Sequence, residues 1–262
     1  MRTFRLAAAG LAAVISFGVA GCGDGSTTPA SGSGASEVTG AVTVFAAASL
    51  TESFTTIGKQ FEAAHPGTAV TFNFAGSSAL ATQINQGAPA DVFASAAAKN
   101  MTAVTGAGNA AGPPATFVKN QLVIAVAKGN PKKIGALADL SGRGIKVALC
   151  AEEVPCGAAA GKALDAAGVK VTPVTYEQDV KAALSKVKLG EVDASLVYRT
   201  DAKAAAADVG AVEFPESAQA VNDYPIVLLK DARNASGGQA FIDYVLSADG
   251  TKVLEEAGFQ AP

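Results

Sequence analysis

The stretch Ala41-Val-Thr-Val-Phe-Ala-Ala-Ala-Ser-Leu50 decides how this chain is read. Its first seven residues are apolar and rich in β-formers, the length of a buried strand, and Ser49 ends the run. Leu50, Phe54, Ile57 and Phe61 then recur at helical spacing, which predicts an amphipathic helix from Ser49 to about residue 64. Ser49 and Glu52 make the S-x-x-E pattern of a capping box at its start. His65-Pro-Gly67 stops it, so the one histidine of the chain reads as a turn residue.

The same strand-then-helix grammar repeats outward from this unit. Val70, Phe72 and Phe74 alternate as a second strand, and Gly76-Ser-Ser78 turns the chain into a helix through Leu80 and Ile84. Residues 91–95, 121–127, 145–149, 194–198 and 224–229 read as further strands. Residues 157–167, closed by Gly168, and 179–188 read as helices, and two more near 239–246 and 251–256 finish the chain. There is no internal repeat. Alternation of this kind predicts an α/β fold with mainly parallel sheets flanked by helices. Two glycine-punctuated halves predict two lobes with a ligand cleft between them. The candidate crossovers are residues 121–127 and 222–224, which place 41–120 plus 223–262 in lobe 1 and 121–222 in lobe 2. Each of these segments, taken alone, also reads as an ordinary interior strand.

Residues 1–21 stand apart from this pattern. Arg2 and Arg5 precede an apolar run, Leu6 to Val19, that is too short to span a membrane comfortably, which is the pattern of a secretory signal. It ends in Val19-Ala-Gly-Cys22, which resembles a bacterial lipobox and makes Cys22 the candidate lipidation site; an ordinary signal with a chance cysteine is the alternative. Residues 22–40 are then the lipidated cysteine and a Ser/Thr/Gly/Ala-rich flexible tether. This places the protein at the cell membrane, lipid-anchored on the extracytoplasmic face. There Cys150 and Cys156, which flank Ala-Glu-Glu-Val-Pro, are predicted to form a disulfide, two unpaired thiols being the alternative.

Composition excludes several functions. Without the signal, 18 basic residues face 23 acidic ones, a net charge of −5, which argues against nucleic acid as a partner. A single histidine rules out multi-histidine metal sites and leaves His65 as the one candidate base for a serine nucleophile. No cofactor is expected. Ser49, Ser77, the Cys156-Gly157 step and Asp179-Val180 each open a helix after a strand or loop. In open α/β sheets such helix starts face the ligand crevice, where free amides and the helix dipole attract anions. Helix capping accounts equally for each serine on its own. No basic residue lies beside Ser49 or Ser77, so a small dianion would be held by neutral donors, to which Tyr198, at a strand end, could add a hydroxyl. A buried aromatic with its hydroxyl bonded elsewhere is the plainer reading of Tyr198.

At these residues a resemblance becomes specific. Val44-Phe-Ala-Ala-Ala-Ser-Leu50, Phe74-Ala-Gly-Ser-Ser78, Gly87-Ala-Pro-Ala-Asp-Val-Phe93 and Leu196-Val-Tyr198 resemble the periplasmic molybdate-binding proteins of ABC importers, over about residues 42–259. The resemblance implies a two-lobed, type II periplasmic-binding-protein fold and a monomer that captures molybdate, and also tungstate, for a membrane permease. It implies that molybdenum is met only as the oxyanion. By motif, Ser49 and Ser77 match the ligands of lobe 1, Tyr198 the ligating tyrosine, and Val180 a backbone-amide ligand. Cys156 falls where relatives carry a small residue that donates its amide, and a cysteine there departs from the pattern. Two other readings stay open: a binding protein for sulfate or, less well matched, phosphate, and a secreted hydrolase using Ser49 or Ser77 as nucleophile. The hydrolase reading lacks a G-x-S-x-G elbow.

Overall fold

The computed structural model describes residues 38–262; the predicted signal, Cys22 and most of the tether lie outside the described residues. Strands β1 (Gly40–Ala47), β2 (Thr68–Ala75), β3 (Val92–Ala94), β4 (Ala115–Asn120) and β10 (Asn222–Leu228) form one five-stranded sheet in the order β2-β1-β3-β10-β4. Strands β5 (Leu122–Ala127), β6 (Val147–Cys150), β7 (Thr175–Glu177), β8 (Ala194–Tyr198) and β9 (Val209–Val212) form the other, in the order β7-β6-β8-β5-β9. Each sheet with its helices is a lobe.

One strand in each sheet runs against the rest. β10 is antiparallel to β3 and β4, and β5 to β8 and β9, while every other pairing is parallel. These are the strands the chain enters directly after crossing between sheets. Gln121 alone separates β4 from β5, and the return passes from β9 through a 3-10 turn at Pro215–Gln219 into β10. Elsewhere, apart from the 3-10 turn at Leu137–Ser141 between β5 and β6, a helix follows each strand and brings the chain back to start in the same direction; the sheets are therefore mixed, with four of five strands in each sharing one direction.

The helices are α1 (Thr51–Ala64), α2 (Ser77–Asn85), α3 (Ala98–Gly106), α4 (Pro155–Ala167), α5 (Val180–Lys188), α6 (Arg199–Ala204), α7 (Ala235–Leu246) and α8 (Ala248–Ala257). β1 alternates as a two-sided strand must: Val44 and Ala46 join the core beneath Phe54, Phe61 and Phe241, and Phe45 joins Leu80, Met101 and Val104 on the opposite face. In the second lobe, α4 buries Ala159, Ala160 and Ala163, small side chains that keep this helix close to its sheet. Gly168 closes α4 in the left-handed region at φ 64°, as its place in the sequence predicts.

The start of α1 differs from the sequence expectation. Ala48–Leu50 form a 3-10 turn, α1 begins at Thr51, and neither end of the expected capping box caps it. The Ser49 hydroxyl is engaged with Tyr224, and the Glu52 carboxylate with Lys181. Strands β4, β7 and β9 and helices α3 and α6, which the sequence reading passed over, are mostly short segments with weak apolar periodicity. No helix among the described residues is long and apolar enough to cross a membrane.

Candidate functional site

Every predicted site residue follows the carboxyl end of a parallel strand. Ser49 lies beyond β1, Ser77 beyond β2, Cys156 beyond β6 and Val180 beyond β7, while Tyr198 ends β8. In a parallel sheet these ends share one edge, and the two lobes turn those edges toward each other. All five residues line one small cavity of about 10 Å³, room for roughly one water-sized sphere. A tetrahedral oxyanion of five heavy atoms therefore enters only with the lobes further apart.

The hydrogen bonds behind the cavity fix the direction of its hydroxyls. The Ala96 amide donates to Ser77 Oγ at 2.9 Å, so the Ser77 proton is free to point into the cavity. Asn222 Nδ2 donates to the Tyr198 hydroxyl oxygen at 2.7 Å and leaves that phenol proton free in the same way. Ser49 Oγ lies 2.8 Å from the Tyr224 hydroxyl, and Asn120 Nδ2 approaches the same phenol oxygen at 3.5 Å. With the Asn120 amide donating to it, the Tyr224 hydroxyl can donate in turn to Ser49 Oγ, an arrangement that keeps the Ser49 proton available to the cavity. Burial pushes the phenols of Tyr198 and Tyr224 well above the ordinary tyrosine range, so both remain protonated donors.

The remaining donors are backbone amides left over at helix starts. In α4, Pro155 occupies the first position, where a missing N–H costs nothing, and the ladder begins with the Ala158 amide donating to Val154. The Cys156 and Gly157 amides have no partner within the helix. The disulfide Cys150–Cys156 ties this start to the end of β6. Gly157 is required there, because a Cβ would meet the Ala151 carbonyl oxygen at 1.9 Å. In α5 the Asp179 carboxylate accepts from the Ala182 amide at 2.9 Å, which spends the carboxylate on capping and leaves the Val180 amide free.

The electrostatics follow from this donor set. No cationic side chain lines the cavity, and its one carboxylate, Asp179, is occupied as a cap. Four inward-facing helix or turn starts supply positive partial charge instead. Among the described residues there is no cluster of three or more metal-ligating side chains. His65 ends α1 with its ring centroid 4.5 Å from that of Phe61 and does not line the cavity.

Sequence reasoning missed the outer layer. Asn120 and Asn222, opposite each other in the β4–β10 pairing at the crossover, orient the tyrosines on either side. Gly76, at the start of α2, lets the lobes approach closely: a Cβ would sit 2.3 Å from the Gln178 carbonyl oxygen of the other lobe. An asparagine at each strand end of a crossover is the one signal that could have flagged the first two.

Two lobes joined at crossing strands, with a small cavity between them lined by neutral donors, define a bilobal solute-binding protein. The chain belongs to the bacterial extracellular solute-binding proteins, whose family pattern matches residues 42–260. It is 44% identical to the molybdate-binding protein ModA of Mycobacterium bovis over the full length of both chains. It is 33% identical to the putative ABC transporter substrate-binding lipoprotein YvgL of Bacillus subtilis, over 93% of each. Its fold matches that of the periplasmic molybdate-binding protein of Azotobacter vinelandii with a TM-score of 0.73 at 22% identity, covering 84% of this chain and 99% of that one.

Proposed function

We propose that this protein captures molybdate, and also tungstate, outside the cytoplasm and delivers it to the permease of an ABC importer. Ser49, Ser77 and Tyr198 bind the oxyanion through hydroxyls, and Cys156 and Val180 through backbone amides. The observation that carries this reading is the outer hydrogen-bond layer: amides donate to the Ser77 and Tyr198 oxygens and the Tyr224 hydroxyl bonds Ser49, which lets each of the three turn its proton toward the cavity. Such a cage rewards an anion with acceptors only. To a partly protonated one it offers no acceptor among its ligating groups, and Asp179, the one carboxylate lining the cavity, is turned to the Ala182 amide through one oxygen. Lobe 1 comprises residues 41–120 and 223–262 and lobe 2 residues 121–222, hinged at the two crossings, and closure is what the permease reads. The chain works as a monomer held to the membrane by lipid on Cys22. It needs no cofactor and catalyses no reaction: the one histidine, His65, lies away from both cage serines.

Calorimetric titration and thermal shift against molybdate, tungstate, sulfate and phosphate test this. Molybdate and tungstate at about 100 times Kd should stabilise the fold by about 2.7 kcal/mol. A shift for sulfate with none for molybdate or tungstate would overturn the assignment.

A further inference from the structure

Three charged side chains sit one step behind the cage, each beside one of its residues. Glu52 lies one turn after Ser49 on α1, Lys181 directly follows Val180 on α5, and Asp201 lies one turn after Tyr198 on α6. Lys181 Nζ is 2.7 Å from both Glu52 carboxylate oxygens and 2.8 Å from Asp201 Oδ1. Lys181 and Asp201 belong to the same lobe, and Glu52 to the other. Among the described residues this is the one ion pair that joins the lobes; the others lie within the second lobe.

The three members differ in burial, and the difference assigns their roles. Asp201 is fully buried, with the Lys181 ammonium at 2.8 Å as its one charged partner. Removing that ammonium would strand a carboxylate in the interior, so the Lys181–Asp201 pair stays together whatever the lobes do. Glu52 is half exposed at 54% and loses nothing by returning to water. Its contact with Lys181 is the part that opening breaks.

We propose that Lys181 is a positioning residue for closure, held by Asp201 so that its ammonium meets Glu52 only when the lobes are closed, with or without ligand between them. The bridge then acts on ligand release and not on the cage contacts themselves. It rests on the reading of the cavity as an oxyanion site that opens and closes.

The sign of one substitution separates this from simple charge effects. Glu52→Gln removes a negative charge near a bound dianion, which by long-range attraction alone would tighten binding. The latch requires the opposite. In stopped-flow measurements with molybdate at low ionic strength, Glu52→Gln should release ligand about three to five times faster, the range expected for a partly exposed pair. Wild-type release should quicken in high salt toward the variant's rate, and the variant's should barely change. Glu191→Gln, which breaks a pair within lobe 2, should release at the wild-type rate. Lys181→Met leaves Asp201 stranded, so the double variant Lys181→Met/Asp201→Asn is the cleaner test from the other side and should match Glu52→Gln. Equal or slower release from Glu52→Gln would overturn the latch. Small-angle scattering on ligand-free protein separates the two readings. A wild type that binds none of the anions sinks the oxyanion site, while the latch still stands or falls on whether Glu52→Gln is the more open molecule.

Discussion

The two lobes reach the same cavity with different materials. Lobe 1 is built on rings: Phe54 contacts Phe72, Phe117 and Phe241 at centroid distances of 5.8–6.2 Å, and Phe61 contacts Phe241 at 5.5 Å. Its donors are side-chain hydroxyls, Ser49 and Ser77, on the turns that leave this core. The second lobe's core is mostly Val, Ala, Leu and Ile, with Phe214, Tyr198 and the two cysteines, and apart from Tyr198 its donors are main-chain amides. Amides cannot be swivelled like a hydroxyl, so lobe 2 aims them with local devices: Pro155 at a helix start, the Asp179 cap, the disulfide and Gly157. The lesson is that side-chain donors can be tuned by the atoms behind them, whereas backbone donors must be placed by how the chain itself is held.

The largest test of that contrast is the place where the lobes touch. Gly76→Ala puts a methyl 2.3 Å from the Gln178 carbonyl oxygen, a rigid backbone atom of the opposite lobe. Closure must stop short, and the expected loss is about 100-fold in Kd, near the upper end of what overpacking costs. The ligand-free melting temperature should stay near wild type, because the open molecule has no such contact. Wild-type affinity in this variant would mean the lobes need not come this close.

The hydroxyls come next. Ser49→Ala, Ser77→Ala and Tyr198→Phe each remove one inward donor, and titration should show about 2 kcal/mol lost per site, roughly 30-fold. Tyr224→Phe should weaken binding less, since it removes only the group that turns Ser49. Unchanged affinity in all of the first three would reduce the hydroxyls to structural roles.

On the lobe 2 side, replacing Cys150 and Cys156 by serine should lower stability by about 2 kcal/mol, the chain-entropy value for a loop this short. Affinity should fall only a few-fold, because Pro155 and Gly157 still set the start of α4. A thiol assay on the unreduced, unfolded protein should find neither cysteine free, and two free thiols would remove the disulfide from the account.

These differences also explain what was legible in the sequence. The strand-to-helix units announced themselves because periodicity and turn residues are local, and the cage residues lie at their junctions. The capping-box reading of Ser49 and Glu52 failed because tertiary partners outcompeted local ones: Tyr224 lies 175 residues from Ser49, and Lys181 lies 129 from Glu52. The roles of Gly76 and Asp201 were invisible for the same reason. Nothing near them in sequence says that the other lobe, or a buried ammonium, will be there.

Asp201 supplies the smallest expected effect and the one most easily read by pH. Burial pushes its carboxyl up to about 6, even though Lys181 pulls it down. Burial lowers Lys181 in turn, but Asp201 and Glu52 carry it above its ordinary value, so it stays charged through the acid range. A carboxyl raised above its unfolded value of about 3.9 binds its proton more tightly in the folded state. Its contribution to stability is therefore fully present below pH 4 and is lost as pH rises through 6. Asp201→Asn abolishes that loss. The melting temperature of the variant minus that of wild type should rise between pH 4 and pH 6.5 and then level off, measured without ligand. A difference that falls over this window would mean that Lys181 dominates, holding Asp201 ionised at a lowered pKa. The buried member of the bridge would then be as ordinary an ion pair as those on the surface of lobe 2.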